Sequence, residues 1–121
     1  MTRADLIALA ARVEQAQGPD RELDAAVMRL FTNSIESDDG EWWYGPHDEP
    51  PRKVPDFTAS RDAARSLLPA GWHLTIGDCE DWPWADAHEF PLPCRRVLGV
   101  HAATVPLTML AAALRARAEE V

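Results

Sequence analysis

The stretch from Trp72 to Ala102 constrains the fold more than any other part of the chain. Three strand-like segments follow one another there with short turns between them. In WHLTIG, Trp72, Leu74 and Ile76 alternate with His73 and Thr75, the pattern of a half-buried strand. WADAHEF is a weaker second strand, and Pro83 confines its start to an edge or a bulge because proline has no amide hydrogen to give. CRRVLGVHA is the third. A parallel pair needs a crossover of about a dozen residues or more, so connections this short predict an antiparallel meander. A sheet of this kind must bury at least one face under helices, which predicts an α+β sandwich.

The helices that could cover it have clear starts and stops. Thr2 to Gln17 reads as an amphipathic helix with Leu6, Leu9, Ala10 and Val13 on one face, and Thr2 with Asp5 matches a capping box. Gly18 is expected to end it in a left-handed conformation, with Pro19 opening a second helix to about Phe31. Leu23, Ala26, Val27, Leu30 and Phe31 form the apolar stripe of that second helix. Thr58 is expected to cap a third, Ala59 to Leu68. Thr104, with Pro106 in the first turn, caps a last helix in which Leu107, Leu110, Ala111, Leu114 and Ala118 keep helical spacing. Arg115 and Arg117 lie near its C-terminal end, where the dipole favours cations. Between Thr32 and Asp56 the periodicity vanishes, and SIESDDGEWWYGPHDEPPRKVPD holds two glycines and four prolines. It reads as one long acidic, tryptophan-rich loop at about residues 32–57. The predicted order is α-α-loop-α-β-β-β-α, with one three-stranded antiparallel sheet covered by helices.

The 121 residues amount to one domain, 1–121, and a hydrophobic content of 46% marks a folding chain. No apolar run reaches the roughly 18–20 residues of a membrane span. Arg3, Asp5, Arg12 and Glu14 interrupt the N-terminal segment, unlike a signal peptide, which predicts a cytoplasmic protein. Two cysteines, Cys79 and Cys94, are too few for a disulfide scaffold, though a single bridge between them stays open. The formal charge of −8 excludes a non-specific nucleic-acid binder and a binder of anionic membranes, both of which need cationic surfaces.

Catalytic and metal signatures are weak. His47, His73, Cys79, His88, Cys94 and His101 form no C-x-x-C or H-x-x-x-H pair, so neither a metal nor a cofactor is expected. Cys94–His101 and Cys79–His88 would be dyads only by coincidence in space. No G-x-S-x-G elbow and no glycine-rich phosphate loop occurs. Asp38, Asp39 and Glu41, like Asp78, Glu80 and Asp81, read as solvated acidic loops rather than as Mg²⁺ or Ca²⁺ sites. In GPDRELD the acids suit a helix start, and Arg21 is expected to pair with Asp24 or Asp20 or to reach an anionic ligand.

Three stretches, LIALAARVEQAQGPDRELDAAV, VPDFTASRDAARSLLPAGWHL and HAATVPLTMLAAALRARAEE, resemble the phage ABA sandwich domain family of small phage and prophage proteins. They cover about half of the chain. The resemblance implies fold and phage origin and brings no catalytic residues, because the shared motifs are caps, turns and helix stripes. Two departures stand out: the acidic, tryptophan-rich residues 32–56, and ATVP where members have ATP.

The charge is concentrated. Residues 36–50 carry −6 and residues 78–89 carry −5, neither with a Lys or Arg, so the rest of the chain is +3. Trp42, Trp43, Trp82 and Trp84, four of the five tryptophans, lie in these segments. Tryptophan anchors interfaces and acidic charge steers a basic partner, so Trp42, Trp43, Tyr44, Asp38, Asp39, Glu41, Trp82 and Trp84 are the candidate partner-binding residues. The expectation is a non-enzymatic phage accessory protein that binds a basic host or phage protein, such as a host-defence or DNA-handling target. The alternative is a small-ligand protein that sequesters a nucleotide signal through Arg21, Arg61 or Arg65; an unrecognised hydrolase ranks below both. Exposed strand edges also make a homodimer an open expectation.

Overall fold

The computed structural model describes residues 2–38, 41–45, 49–79, 81–90 and 95–121. These residues form α1 (Arg3–Gln15), α2 (Arg21–Met28), β1 (Ile35–Asp38), β2 (Glu41–Tyr44), β3 (Arg52–Lys53) and α3 (Arg61–Arg65). Then follow β4 (Trp72–Gly77), β5 (Trp84–Glu89), β6 (Arg96–His101) and α4 (Val105–Glu120). The architecture is α+β with two three-stranded antiparallel sheets, β1-β2-β3 and β4-β5-β6. The expected single sheet is thereby corrected: half of the strands lie in the segment read as a loop.

Helix α4 organises the core. Leu107, Met109, Leu110 and Leu114 are fully buried, and so are Ala111, Ala112, Ala113 and Ala116. The helix packs against α1, α3 and all three strands of the second sheet. A helical stretch that carries no charge on any side, as from Leu107 to Leu114, belongs inside, and alanine lets neighbours approach its backbone closely. Each fully buried leucine contributes about 1.5–3 kcal/mol. Thr104 caps the helix by accepting from the Leu107 amide (3.3 Å), and Thr108 turns its hydroxyl back to the Thr104 carbonyl (2.8 Å).

Local signals place the other helices with some shifts. The Thr2–Asp5 capping box forms in both directions (3.1 Å each way), and Leu6, Leu9, Ala10 and Val13 face the core. Ala16, in extended conformation, ends α1; Gly18 is not left-handed. Asp20, not Pro19, opens α2, because its carboxylate accepts from the amides of Glu22 and Leu23. The helix stops at Met28, short of Phe31. Ser60 caps α3 by accepting from Ala63, while Thr58, the expected cap, is buried on other business.

In the second sheet Trp72, Ala85, Ala87 and Val100 are buried towards the helices. His73, His88 and Arg96 stand in register on the opposite face. Strand β6 carries a bulge: Ala85 pairs with Val100 and Ala87 with Val97, so Leu98 and Gly99 together oppose Asp86. Gly99 takes φ +68°, and its amide donates to the Asp86 carboxylate (2.7 Å). Gly77 is required by its neighbour. Its cross-strand partner Trp84 lays the indole where a Cβ would be, with Nε1 at 1.8 Å from that position. Gly77→Ala is therefore expected to cost about 1–3 kcal/mol by overpacking, and much less in a Trp84→Ala background. Urea melts of the four proteins in that cycle test this; equal cost in both backgrounds would refute the stacking role.

Candidate functional site

The first acidic segment is a hairpin with two unlike faces. β1 and β2 pair as Ile35 with Tyr44, Glu36 with Trp43, Ser37 with Trp42 and Asp38 with Glu41. Alternation along β2 sends Trp42 and Tyr44 to the core, where both pack, and turns Trp43 the other way. The Arg29 guanidinium lies 5.2 Å from the Trp42 ring centre. Trp43 meets Lys53 of β3, whose ammonium lies 5.8 Å from its ring centre, and faces Glu36 across the ladder. The charged side chains of Glu36, Asp38 and Glu49 are exposed. Asp39, the remaining acid predicted to bind a partner, lies outside the described residues, as does His47.

Arg21 fastens this hairpin to the body. Its Nη1 donates to Asp24 (2.8 Å) and to the Pro55 carbonyl (3.3 Å); its Nη2 donates to the Val54 carbonyl (2.8 Å). Nε reaches Glu41 at 2.9 Å, and Nη2 bonds the same carboxylate oxygen. Asp24 is 1% exposed and also accepts from the Thr58 amide and hydroxyl, both at 2.8 Å. Thr58 in turn takes the Asp20 amide (2.8 Å), tying the start of α2 to the segment after β3. Desolvation opposes the Arg21 charge, but the bonds to Glu41 and Asp24 outweigh it and raise its pKa. Burial pushes the Asp24 carboxyl up, only partly offset by Thr58 and Arg21. The bond from Arg21 holds the Glu41 carboxyl below its usual 4.5, helped by the Trp42 amide. Arg21 thus pairs with Asp24, one of its two expected partners, and with Glu41, which sequence spacing did not suggest.

The second segment leads into and along β5. Trp82 is 61% exposed and stacks flat on the His101 ring, with ring centres 3.5 Å apart and planes at 11°. His101 is itself held by the Pro83 carbonyl at 2.7 Å from Nδ1. Trp84 is half-buried over Gly77. Asp78 pairs with Arg61 (2.8 Å), Asp86 with the Gly99 amide and Glu89 with Arg95, while Asp81 is exposed; Glu80 lies outside the described residues. Arg65 is exposed at the end of α3. β2 packs on α2, whereas β4, β5 and β6 pack on α4, so the two tryptophan segments rest on different supports.

His73 and His88, which spacing left unconnected, are directly opposed across β4 and β5; their rings stack at 5.8 Å and Phe90 edges against both. Among the described residues no group of three metal-ligating side chains converges. Cys79 is exposed and free, and Cys94 lies outside the described residues. Among the described residues no helix is long and apolar enough to cross a membrane. Comparison with known proteins finds no matching family model, no matching curated protein and no matching solved structure.

Two tests follow from the Arg21 cluster. Asp24→Ala strands the Arg21 guanidinium and the Thr58 amide, so it is expected to cost about 3 kcal/mol in urea melts. A loss below about 1 kcal/mol would mean that water replaces the carboxylate without penalty. The pH dependence has a definite sign. Because the Glu41 pKa is depressed on folding, its contribution is present above pH 4.5 and lost as the pH falls through its lower native value. Asp24, raised on folding, acts the opposite way and gains on acidification. Glu41→Gln should therefore flatten the loss of stability below pH 4.5, and an unchanged acid slope would remove Glu41 from the account.

Proposed function

We propose that this chain is a non-enzymatic accessory protein of a phage or prophage, acting in the host cytoplasm, that binds a basic protein surface through Trp43 and Trp82 and the acids beside them. The observation that carries this reading is a pair of indoles held in fixed positions away from the core, Trp82 exposed and Trp43 half-buried. Trp82 lies on His101, and Trp43 lies between Glu36 and Lys53. An aromatic ring already ordered on the free surface loses little entropy on binding, which favours it as an anchor. Glu36, Asp38, Glu49 and Asp81 are the acids available for steering, because Glu41, Asp78, Asp86 and Glu89 are engaged inside the chain. Trp42, Tyr44 and Glu41 then support the hairpin rather than touch the partner. The phage assignment rests on the resemblance of the three sequence stretches. The nucleotide-sequestering alternative has a narrower basis, since Arg21 is spent on Asp24 and Glu41, and Arg61 on Asp78.

The test is affinity capture from a host lysate with quantitative mass spectrometry, comparing the wild type with Trp43→Ala/Trp82→Ala. Basic proteins retained by the wild type should be lost by the variant, and raising salt from 50 to about 300 mM should weaken their retention. A Trp42→Ala control should lower stability more than Trp82→Ala does. Retention of the same proteins by the double variant would overturn the reading.

A further inference from the structure

The arginines that are only half exposed at the core boundary differ in one respect. Arg21 meets Asp24 and Glu41, Arg95 meets Glu89 and Glu120, and Arg115 meets Glu14. Arg117, in the last turn of α4, makes no ion pair among the described residues. Its Nε donates to the Leu67 carbonyl at 2.6 Å, and its guanidinium carbon lies 5.0 Å from the Phe31 ring centre. Both contacts hold the group in place without neutralising it, and its remaining N–H donors meet no acceptor among the described residues. Burial lowers its pKa, with no charged partner acting in the other direction.

Arg117 lies on the wall of a groove of about 440 Å³. The other walls are Leu6, Leu30, Phe31, Pro69, Ala70 and Val121. Glu120 lines the groove as well, but its carboxylate is already held by the Trp72 indole (2.6 Å) and Arg95 (2.9 Å), which damps its repulsion of an anion. Phe31, which lines the groove, is 46% exposed overall. A groove of this size with largely apolar walls and one charged group left without an ionic partner is a usual form of a small-ligand site.

We propose that this groove binds a small amphipathic monocarboxylate, with the carboxylate on the free edge of Arg117 and an aromatic or short aliphatic body against Leu6, Leu30 and Phe31. The guanidinium edge matches a carboxylate in two parallel hydrogen bonds. One cation balances one negative charge; a phosphate dianion would leave charge uncompensated among apolar walls. The site involves neither Trp43 nor Trp82, so it stands or falls apart from the partner-binding reading.

The experiment is an amide-shift NMR titration of the full chain with phenylacetate, indole-3-acetate and decanoate, each against its uncharged primary amide. Saturable shifts are expected at Leu6, Leu30, Phe31 and Ala70, with at least one acid binding tenfold or more tighter than its amide, the worth of a charge-assisted hydrogen bond. Arg117→Gln should abolish that preference, and Arg117→Lys should keep part of it. If Arg117→Gln fails to fold, the wild-type preference and Arg117→Lys carry the test. Equal binding of acid and amide, or no saturable shift at millimolar acid, would overturn the proposal.

Discussion

The burial of α4 from Leu107 to Leu114 is the constraint from which the rest of the structure follows. A run of eight consecutive helical residues, Leu107 to Leu114, that is buried on all faces must be enclosed on every side. A chain of this length has few elements with which to do it. α1 and α3 cover part of its circumference, and the inner face of β4-β5-β6 covers another part. Enclosing it uses one face of the second sheet and leaves the other bare. The bare face carries the His73–His88 stack, with Trp82 and His101 joined at its end. Solvent-facing aromatics on the second sheet are thus a consequence of where α4 must go.

The first sheet has a different attachment. It is small, and Trp42, Tyr44 and Ile35 supply its apolar contact with the core. Arg21 adds the directional part by bonding Glu41 on β2, the Val54 and Pro55 carbonyls after β3, and Asp24 within α2. Planar guanidinium geometry allows this many bonds at once, which the point charge of a lysine would not reproduce. The buried Asp24 would be costly alone, but Arg21 and two donors from Thr58 satisfy it. Trp43 owes its outward position to this arrangement, because fixing Trp42 inward on a two-residue period fixes its neighbour outward.

Elements with regular periodicity were legible in the sequence. The three strands from Trp72 to His101, the capped α1 and the capped α4 all form where alternation and capping residues put them. Thr58 was misread because a threonine before a helix looks the same whether it caps that helix or donates to a distant aspartate. β1, β2 and β3 were missed because acids and prolines masked strands of four, four and two residues. The sequence does carry a signal, since Asp39-Gly40 followed by EWWY is a hairpin pattern with high strand propensity. Of the candidate site, the segregation of acid and tryptophan was visible. Which tryptophan faces outwards depends on register, and the partners of Arg21 and the isolation of Arg117 depend on tertiary approach; neither is written in local spacing.

The structure also changes what the concentrated negative charge can do. Long-range steering depends on net charge, so an acid paired with an arginine contributes little to it at distances beyond a Debye length of about 8–10 Å. Glu41, Asp78 and Glu89 each sit against an arginine and are in effect cancelled. Asp86 keeps its charge but directs it at the Gly99 amide. Among the described residues of the two acidic segments, the uncancelled acids are Glu36, Asp38, Glu49 and Asp81, beside Trp43 or Trp82 or on their flanks. Paired acids, whether half-buried like Glu41 or exposed like Asp78, serve the fold, and the unpaired ones keep a charge that an approaching surface would meet. A count of charges along the chain merges these two populations, although only the second can orient an approaching cationic surface.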